Sequence, residues 1–461
     1  MRVVDSVPVD LLSLFGGSWP LFVIGVLAMA VGIAASIALH EVGHLVPAKL
    51  FGVRVTQYMV GFGKTIFSRR VGETEYGLKA VPLGGYISMI GMYPPAREGQ
   101  RPRADSTGLF QQMADQTRSV EAERLQPGDE NRQFHQLPVW KRIIIMLGGP
   151  MVNLMLGVLC LSIVITGFGM AQPSTTVSSI SQCVQVVRAE EDQEAPACSE
   201  GDPLAPARAA GLQSGDRILE FAGTEVTGWD HLTELIRQHG EQTVSMVVER
   251  GGHRQELTIT PLLTQRPVLN AAGQPVVDEQ GQYVTREVGF IGISPARHLV
   301  PGSLGQVPGV LADSFGQIFR TMSTLPVRVW EVGHALFTDA PRPADSPMSV
   351  VGAGRVAGDI AATDRITAEA KVASLLSMLG SLNLFLFVFN LLPLLPLDGG
   401  HVAGALWEAL RRGWARLRRR PDPGPFDPAR LLPLTYAVAL AFIVMSVVLI
   451  AADLFEPVRV L

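Results

Sequence analysis

One apolar stretch, residues 20–50, limits what this chain can fold into. It is long enough to cross a bilayer as a helix. Its last third reads Ser36-Ile37-Ala38-Leu39-His40-Glu41-Val42-Gly43-His44. On a helix, His40 and His44 lie one turn apart on one face, and both imidazoles reach a single metal ion. Glu41 stands beside them, where its carboxylate can take a proton from a water activated there. Ionisable groups inside a membrane segment are costly and mark function. That cost weighs against the plainer reading, two satisfied histidines in a soluble core helix. The pattern predicts a hydrolytic metal site within a membrane.

Three more apolar runs follow, at 143–170, 373–397 and 432–452. The 461 residues are 47% hydrophobic and 17% charged, which suits a membrane core with polar attachments. The expected fold is a polytopic α-helical membrane protein of about four transmembrane helices, with a small membrane-associated β-region and an extracytoplasmic α+β domain. A net charge of −4 gives no reason to expect nucleic acid as a partner. The start of the chain holds one arginine with Asp5 and Asp10, unlike a cleavable signal, so the first run is expected to be retained.

In order, 1–50 is read as the first transmembrane helix. Residues 51–92 are rich in Val, Thr, Tyr and Gly, with turn signals at Gly61-Phe62-Gly63, Arg70-Val71-Gly72 and Gly84-Gly85. They predict a small antiparallel sheet whose edge can take an extended peptide, or else an ordinary connecting hairpin. Residues 93–139 form a polar cytoplasmic insertion. The second transmembrane helix, 140–172, carries Gly148-Gly149-Pro150 and Asn153. Small residues allow close helix contact, and the buried amide needs a partner, whether another helix, a substrate backbone or an oxyanion.

Residues 173–265 read as a soluble domain. The segment Ala209-Ala210-Gly211-Leu212-Gln213-Ser214-Gly215-Asp216-Arg217-Ile218-Leu219, a helix at 229–239 and two alternating strands give an order similar to a bacterial PDZ domain. It serves either to bind peptides by strand addition or as a spacer. Cys183 and Cys198 bracket an acidic stretch; on an extracytoplasmic face they are placed to form a disulfide worth roughly 3 kcal/mol. Cys160, in an apolar run, reads as a buried hydrophobe. Residues 266–371 read as a linker with amphipathic segments, 372–402 as the third transmembrane helix, 403–430 as a basic cytoplasmic loop, and 431–461 as the fourth helix and tail. Cations at Lys49, Arg54, Lys64, Arg69, Arg70 and Lys79, and the 411–420 cluster, place both of those loops in the cytoplasm. With four crossings, 173–265 then lies outside, in agreement with its cysteines.

Two histidines leave zinc one protein ligand short. Asp398 is the best candidate, an acid beside glycines at the end of an apolar run broken by Pro393 and Pro396. A turn role for an Asp-Gly pair is the alternative, and His401 is a weaker ligand candidate. Asn390 is a second amide able to bond a substrate backbone or an oxyanion, or simply to join helices.

These segments together resemble the site-2 proteases. The resemblance rests on His40-Glu41-Val42-Gly43-His44, Gly148-Gly149-Pro150-x-x-Asn153, the PDZ-like domain and Asn390-x-x-Pro393-x-x-x-Leu397-Asp398-Gly399, and it spans nearly the whole chain. Val60-Gly61-Phe62-Gly63 and the segment from Thr74 to Tyr86 are similar to the family's membrane-associated β-region. The paired cysteines and single PDZ-like domain look closest to actinobacterial members. The resemblance implies one Zn2+ per chain on His40, His44 and Asp398, with Glu41 as catalytic base. It implies single-pass membrane substrates of the anti-sigma-factor type, trimmed first by a separate site-1 protease, and a bacterial cytoplasmic membrane location. A PDZ scaffold with a dead metal site is opposed by the intact Glu41. A metal transporter would spread its polar groups along a path.

Overall fold

A computed structural model describes residues 19–94, 125–184, 198, 201–268, 284–338, 342 and 346–455. Most of the expected polar insertion lies outside the described residues. The chain divides into two compact units, Met1–Phe168 with Ser303–Leu461, and Gly169–Gly302.

The first unit opens with helix α1, Trp19–Leu50. Strands β1, Val55–Val71, and β2, Thr74–Met89, form an antiparallel hairpin folded on itself: Met59 pairs with both Gly77 and Tyr86. The two halves of β2 therefore flank the first half of β1. The bend falls at Gly61 and Gly63, whose φ values of 94° and 82° suit glycine. Residues after 125 return to this sheet, where Arg132 forms a bidentate pair with Glu73 at 2.8 and 2.9 Å, and Arg54 pairs with Asp129. Helix α2, Val139–Ile163, continues in a π-helical turn to Phe168. The chain leaves the helix at Gly169 (φ 94°), short of the expected end at 172.

The second unit holds β3, Met170–Ile180; β4, Arg217–Phe221; β5, Thr224–Glu225; α3, Trp229–Gln238; β6, Val244–Arg250; β7, His253–Ile259; β8, Leu262–Pro267; β9, Thr285–Phe290; and β10, Ile293–Val300. The main sheet runs β10-β3-β4-β6-β7 with β5 on β4, and β8–β9 is a separate hairpin. Leu232 and Ile236, four residues apart on α3, drop into a core of Ile218, Phe221, Met246, Val248 and Ile291. The unit runs beyond the expected boundary at 265. Strand β10, from the stretch read as linker, pairs with β3 along its length and closes the sheet. The Gly211–Asp216 turn is held by Arg250, whose Nε and Nη2 donate to Asp216 at 2.7 and 2.6 Å. Burial opposes ionisation of Asp216, but Arg250 and the Gln213 N–H outweigh it and hold its carboxyl below the ordinary range. Cys183 and Cys198 are disulfide-bonded.

The first unit resumes with α4, Val307–Ala335; α5, Val350–Ala362; α6, Ala368–Asn390; α7, Asp398–Leu417; and α8, Leu432–Phe455. Two of these helices, α4 and α5, lie in the stretch read as linker. Glycine and alanine let α5 meet α1 closely, since a Cβ on Gly25 would strike the Ala357 carbonyl. Among the described residues, four helical segments are long and apolar enough to cross a membrane: Trp19–Leu50, Val139–Phe168, Ala368–Asn390 and Pro428–Phe455. The third stops at Asn390 rather than running to Leu397, because Pro393 and Pro396 supply no N–H to continue it. Residues read as a basic loop are helical to Leu417.

A candidate metal centre where three helices meet

Backbone contact brings α1 and α2 together at Gly43 and Gly148. A Cβ on either glycine would collide with the other's carbonyl. The next residue, Gly149, faces the histidines, and a Cβ there would lie 2.6 Å from His40 Nε2 and closer still to His44 Nε2. Only a glycine leaves that space open.

The third element arrives by the loop 391–397. Asp398 opens α7 instead of ending α6, and its carboxylate suits a first helical turn. Gly399 and Gly400 let the loop lie over the helix start, since a Cβ on Gly400 would sit 2.7 Å from Leu394 and Leu395 backbone atoms. The result is a cluster of three donors. His40 Nε2 and His44 Nε2 are 3.1 Å apart, and each lies 3.4 Å from Asp398 Oδ2.

A tetrahedral zinc with bonds of about 2.0–2.1 Å spaces its donors by about 3.3 Å. The cluster has that spacing, and two imidazoles with one carboxylate are a ligand set zinc accepts. Asp398 Oδ2 is buried and has no hydrogen-bond donor among the described residues. Such an atom is costly unless something else meets it. The residues present therefore fit a zinc ion.

The rear of each ring is also held. His44 Nδ1 lies 2.7 Å from the Ile145 carbonyl, which accepts its hydrogen and leaves Nε2 free to bind metal. His40 Nδ1 is 3.1 Å from the carboxamide of Asn153, a residue 1% exposed. Glu41 is buried (7% exposed) against strand β2, where a Cβ on Gly85 would lie 2.8 Å from its Cγ. Tyr58 adds a bond from its hydroxyl to the Ala38 carbonyl at 2.8 Å. The hairpin thus rests on the turn of α1 that carries the histidines.

Other expected site residues are less engaged. Asn390 ends α6, half-buried, its side chain making no hydrogen bond to any described residue. Phe62, exposed between Gly61 and Gly63, stacks on Tyr86 with ring centres 6.2 Å apart. His401, one turn beyond Asp398, lines a small cavity with Arg142, His135 and Phe426 and is not among the donors. Gly85 and the Ile145 carbonyl were absent from the residues singled out by sequence. Gly-Gly at 84–85 read only as a turn, and a main-chain acceptor leaves no trace in residue type.

Comparison with known proteins places this geometry in context. The description "Peptidase family M50" matches residues 28–420. The chain is 31% identical to the zinc metalloprotease Rip1 of Mycobacterium tuberculosis, over 95% of this chain and 99% of that protein. It is 26% identical to the metalloprotease MmpA of Caulobacter vibrioides, over 85% and 88%. It is 25% identical to the zinc metalloprotease RasP of Bacillus licheniformis, over 81% and 87%.

Proposed function

Because the chain belongs to peptidase family M50, we propose that it cuts the transmembrane segments of single-pass membrane proteins. It is a zinc metalloendopeptidase of the site-2 protease family, with helices fit to span a bacterial membrane. Its substrates in this reading are of the anti-sigma-factor type, and a site-1 protease makes a first cut outside the membrane.

The observation that carries the reading is the donor cluster of His40, His44 and Asp398, with buried Glu41 beside the two histidines on the bilayer-length helix α1. His40, His44 and Asp398 hold the zinc. The bound ion supplies Lewis acidity, polarising the scissile carbonyl and acidifying the attacking water. Glu41 takes the proton from that water and passes it to the leaving amine. Its burial against β2 keeps its carboxylate from bulk water until substrate enters. A peptide bond within a helix is shielded by its own hydrogen bonds, so the substrate must unwind. The β1–β2 hairpin, resting on α1 beside Glu41, supports a role in holding the unwound strand, with Gly61, Phe62 and Gly63 at its bend. Asn390, whose amide is unpaired among the described residues, is available to bond the substrate backbone.

The second unit acts here as an extracytoplasmic PDZ domain. Its disulfide supports an oxidising compartment, and the cations of the 51–92 and 411–420 segments support a cytoplasmic side for those loops. A cleft of about 280 Å³ between α3 and β9, lined by Trp229, Ile236, Val288 and Ile291, supports peptide binding.

The test is cleavage of a tagged single-pass substrate, lacking its extracytoplasmic domain, by wild type and Glu41→Gln in the same membranes. Cleavage should vanish in the variant while zinc content stays at one per chain. Equal cleavage by both proteins would refute the assignment.

A further inference from the structure

The two histidines differ in what lies behind them. His44 Nδ1 meets a main-chain carbonyl, which can only accept a hydrogen. His40 Nδ1 meets the Asn153 carboxamide, which offers either an oxygen or an NH2 group to the same spot after a half-turn. We propose that Asn153 is a positioning residue for the metal: its carboxamide oxygen accepts the Nδ1 hydrogen of His40 and so aims the Nε2 lone pair at the ion. The assignment rests on the reading that His40, His44 and Asp398 hold zinc.

Only one orientation of the carboxamide leaves the His40 ring able to bind metal through Nε2. With Asn153 Nδ2 toward Nδ1, the neutral imidazole carries its hydrogen on Nε2, between His44 Nε2 at 3.1 Å and Asp398 Oδ2 at 3.4 Å. That tautomer cannot bind metal. With the oxygen toward Nδ1, the hydrogen moves to the rear of the ring and Nε2 is free. Hydrogen-bond partners do not choose between the two orientations, since either leaves one amide atom unpaired among the described residues, Oδ1 when Nδ2 faces the ring. The ligand chemistry chooses. His44 shows the same arrangement already made, with its acceptor on the same helix, α2. Zinc-bound histidines commonly donate their second N–H to a carbonyl or carboxylate, and losing that partner weakens metal binding by about 10- to 100-fold. Asn153 is 1% exposed and engaged with His40, so it is poorly placed for the substrate contact read from sequence.

The experiment uses the purified full chain in detergent, stripped of metal and titrated with Zn2+ against a competing chelator. Wild type, Asn153→Leu, Asn153→Ala, Asn153→Asp and His44→Ala are compared, each with its melting curve. The Leu and Ala variants should bind zinc about 10- to 100-fold more weakly, and excess zinc should restore cleavage with KM unchanged. Asn153→Asp, which keeps an acceptor, should hold zinc within about threefold of wild type or more tightly. Unchanged zinc affinity in the Leu and Ala variants with a raised KM would overturn the proposal and return Asn153 to the substrate. Equal weakening in Asp, Leu and Ala would overturn it in favour of packing. Histidine 15N spectra of the zinc-loaded wild type need no variant: His40 should be bound through Nε2 with Nδ1 protonated, and the reverse would refute the assignment. Wild-type affinity in His44→Ala would instead sink the underlying metal reading, a distinguishable failure.

Discussion

Asp398 and Glu408 sit on one helix, α7, ten residues apart, and their carboxylates could hardly be treated more differently. Glu408 is 0% exposed and held by three donors. Its Oε1 accepts from Arg142 and from Arg412, and its Oε2 accepts from the Phe426 N–H at 2.7 Å. Among the described residues Asp398 Oδ2 has no hydrogen-bond donor, and it faces two imidazole nitrogens at 3.4 Å. A buried acid with donors on both oxygens joins helices; one left open beside two ring nitrogens waits for a cation. The difference separates a clamp from a ligand, although the two residues share chemistry and helix. Arg142 also ties α7 to α2, so the clamp helps hold Asp398 where α1 and α2 present the histidines.

The sharpest way to break this comparison is Asp398→Asn. Proteolysis should fall to background and zinc should no longer raise the melting temperature, which in wild type rises with free zinc by mass action. The fold should persist, because the amide relieves an unpartnered carboxylate. Loss of folding would place Asp398 with Glu408 as a structural acid. Arg142→Ala is the converse. It leaves a buried carboxylate short of its main partner and should cost about 3–5 kcal/mol in stability, read by denaturation in detergent, while surviving folded protein still binds one zinc per chain. A variant that lost zinc at full stability would contradict the clamp.

Gly149→Ala tests how closely the helices press on the donors. Its methyl group would enter between the imidazoles, and zinc affinity should drop about 100-fold by chelator competition, with a smaller change in melting. Asp216→Asn probes a satisfied acid outside the metal centre and should be mildest, about 1.5 kcal/mol. Asp216 has a lowered folded-state pKa, so its contribution is complete above the unfolded value of about 3.9 and is lost as pH falls toward the folded value. Acid unfolding of wild type should show that loss, and Asp216→Asn should lack it.

Local patterns carried much of this protein into view. Apolar length marks membrane-spanning helices because the bilayer imposes a fixed thickness. Four-residue spacing puts His40 and His44 on one face because the helical turn is 3.6 residues. Neither depends on anything distant. The limits appear where distant segments meet. Strand β10 was read as linker, since short strands in a Gly- and Pro-rich stretch declare themselves only through a partner, here β3. The hairpin's double register arises from β2 folding back along β1, a choice set by packing on α1.

From sequence alone came the membrane class, the histidine pair with its adjacent acid, and the candidacy of Asp398. Tertiary structure decided which of two acids on α7 has an oxygen with no hydrogen-bond donor among the described residues, that Asn153 meets His40, and that Gly149 and Gly85 clear space around the donors and Glu41. The physical reason is range. Helix period and hydrophobic length are properties of neighbours along the chain, whereas a hydrogen-bond inventory and the room for a metal exist only once three helices and a hairpin have closed on one another.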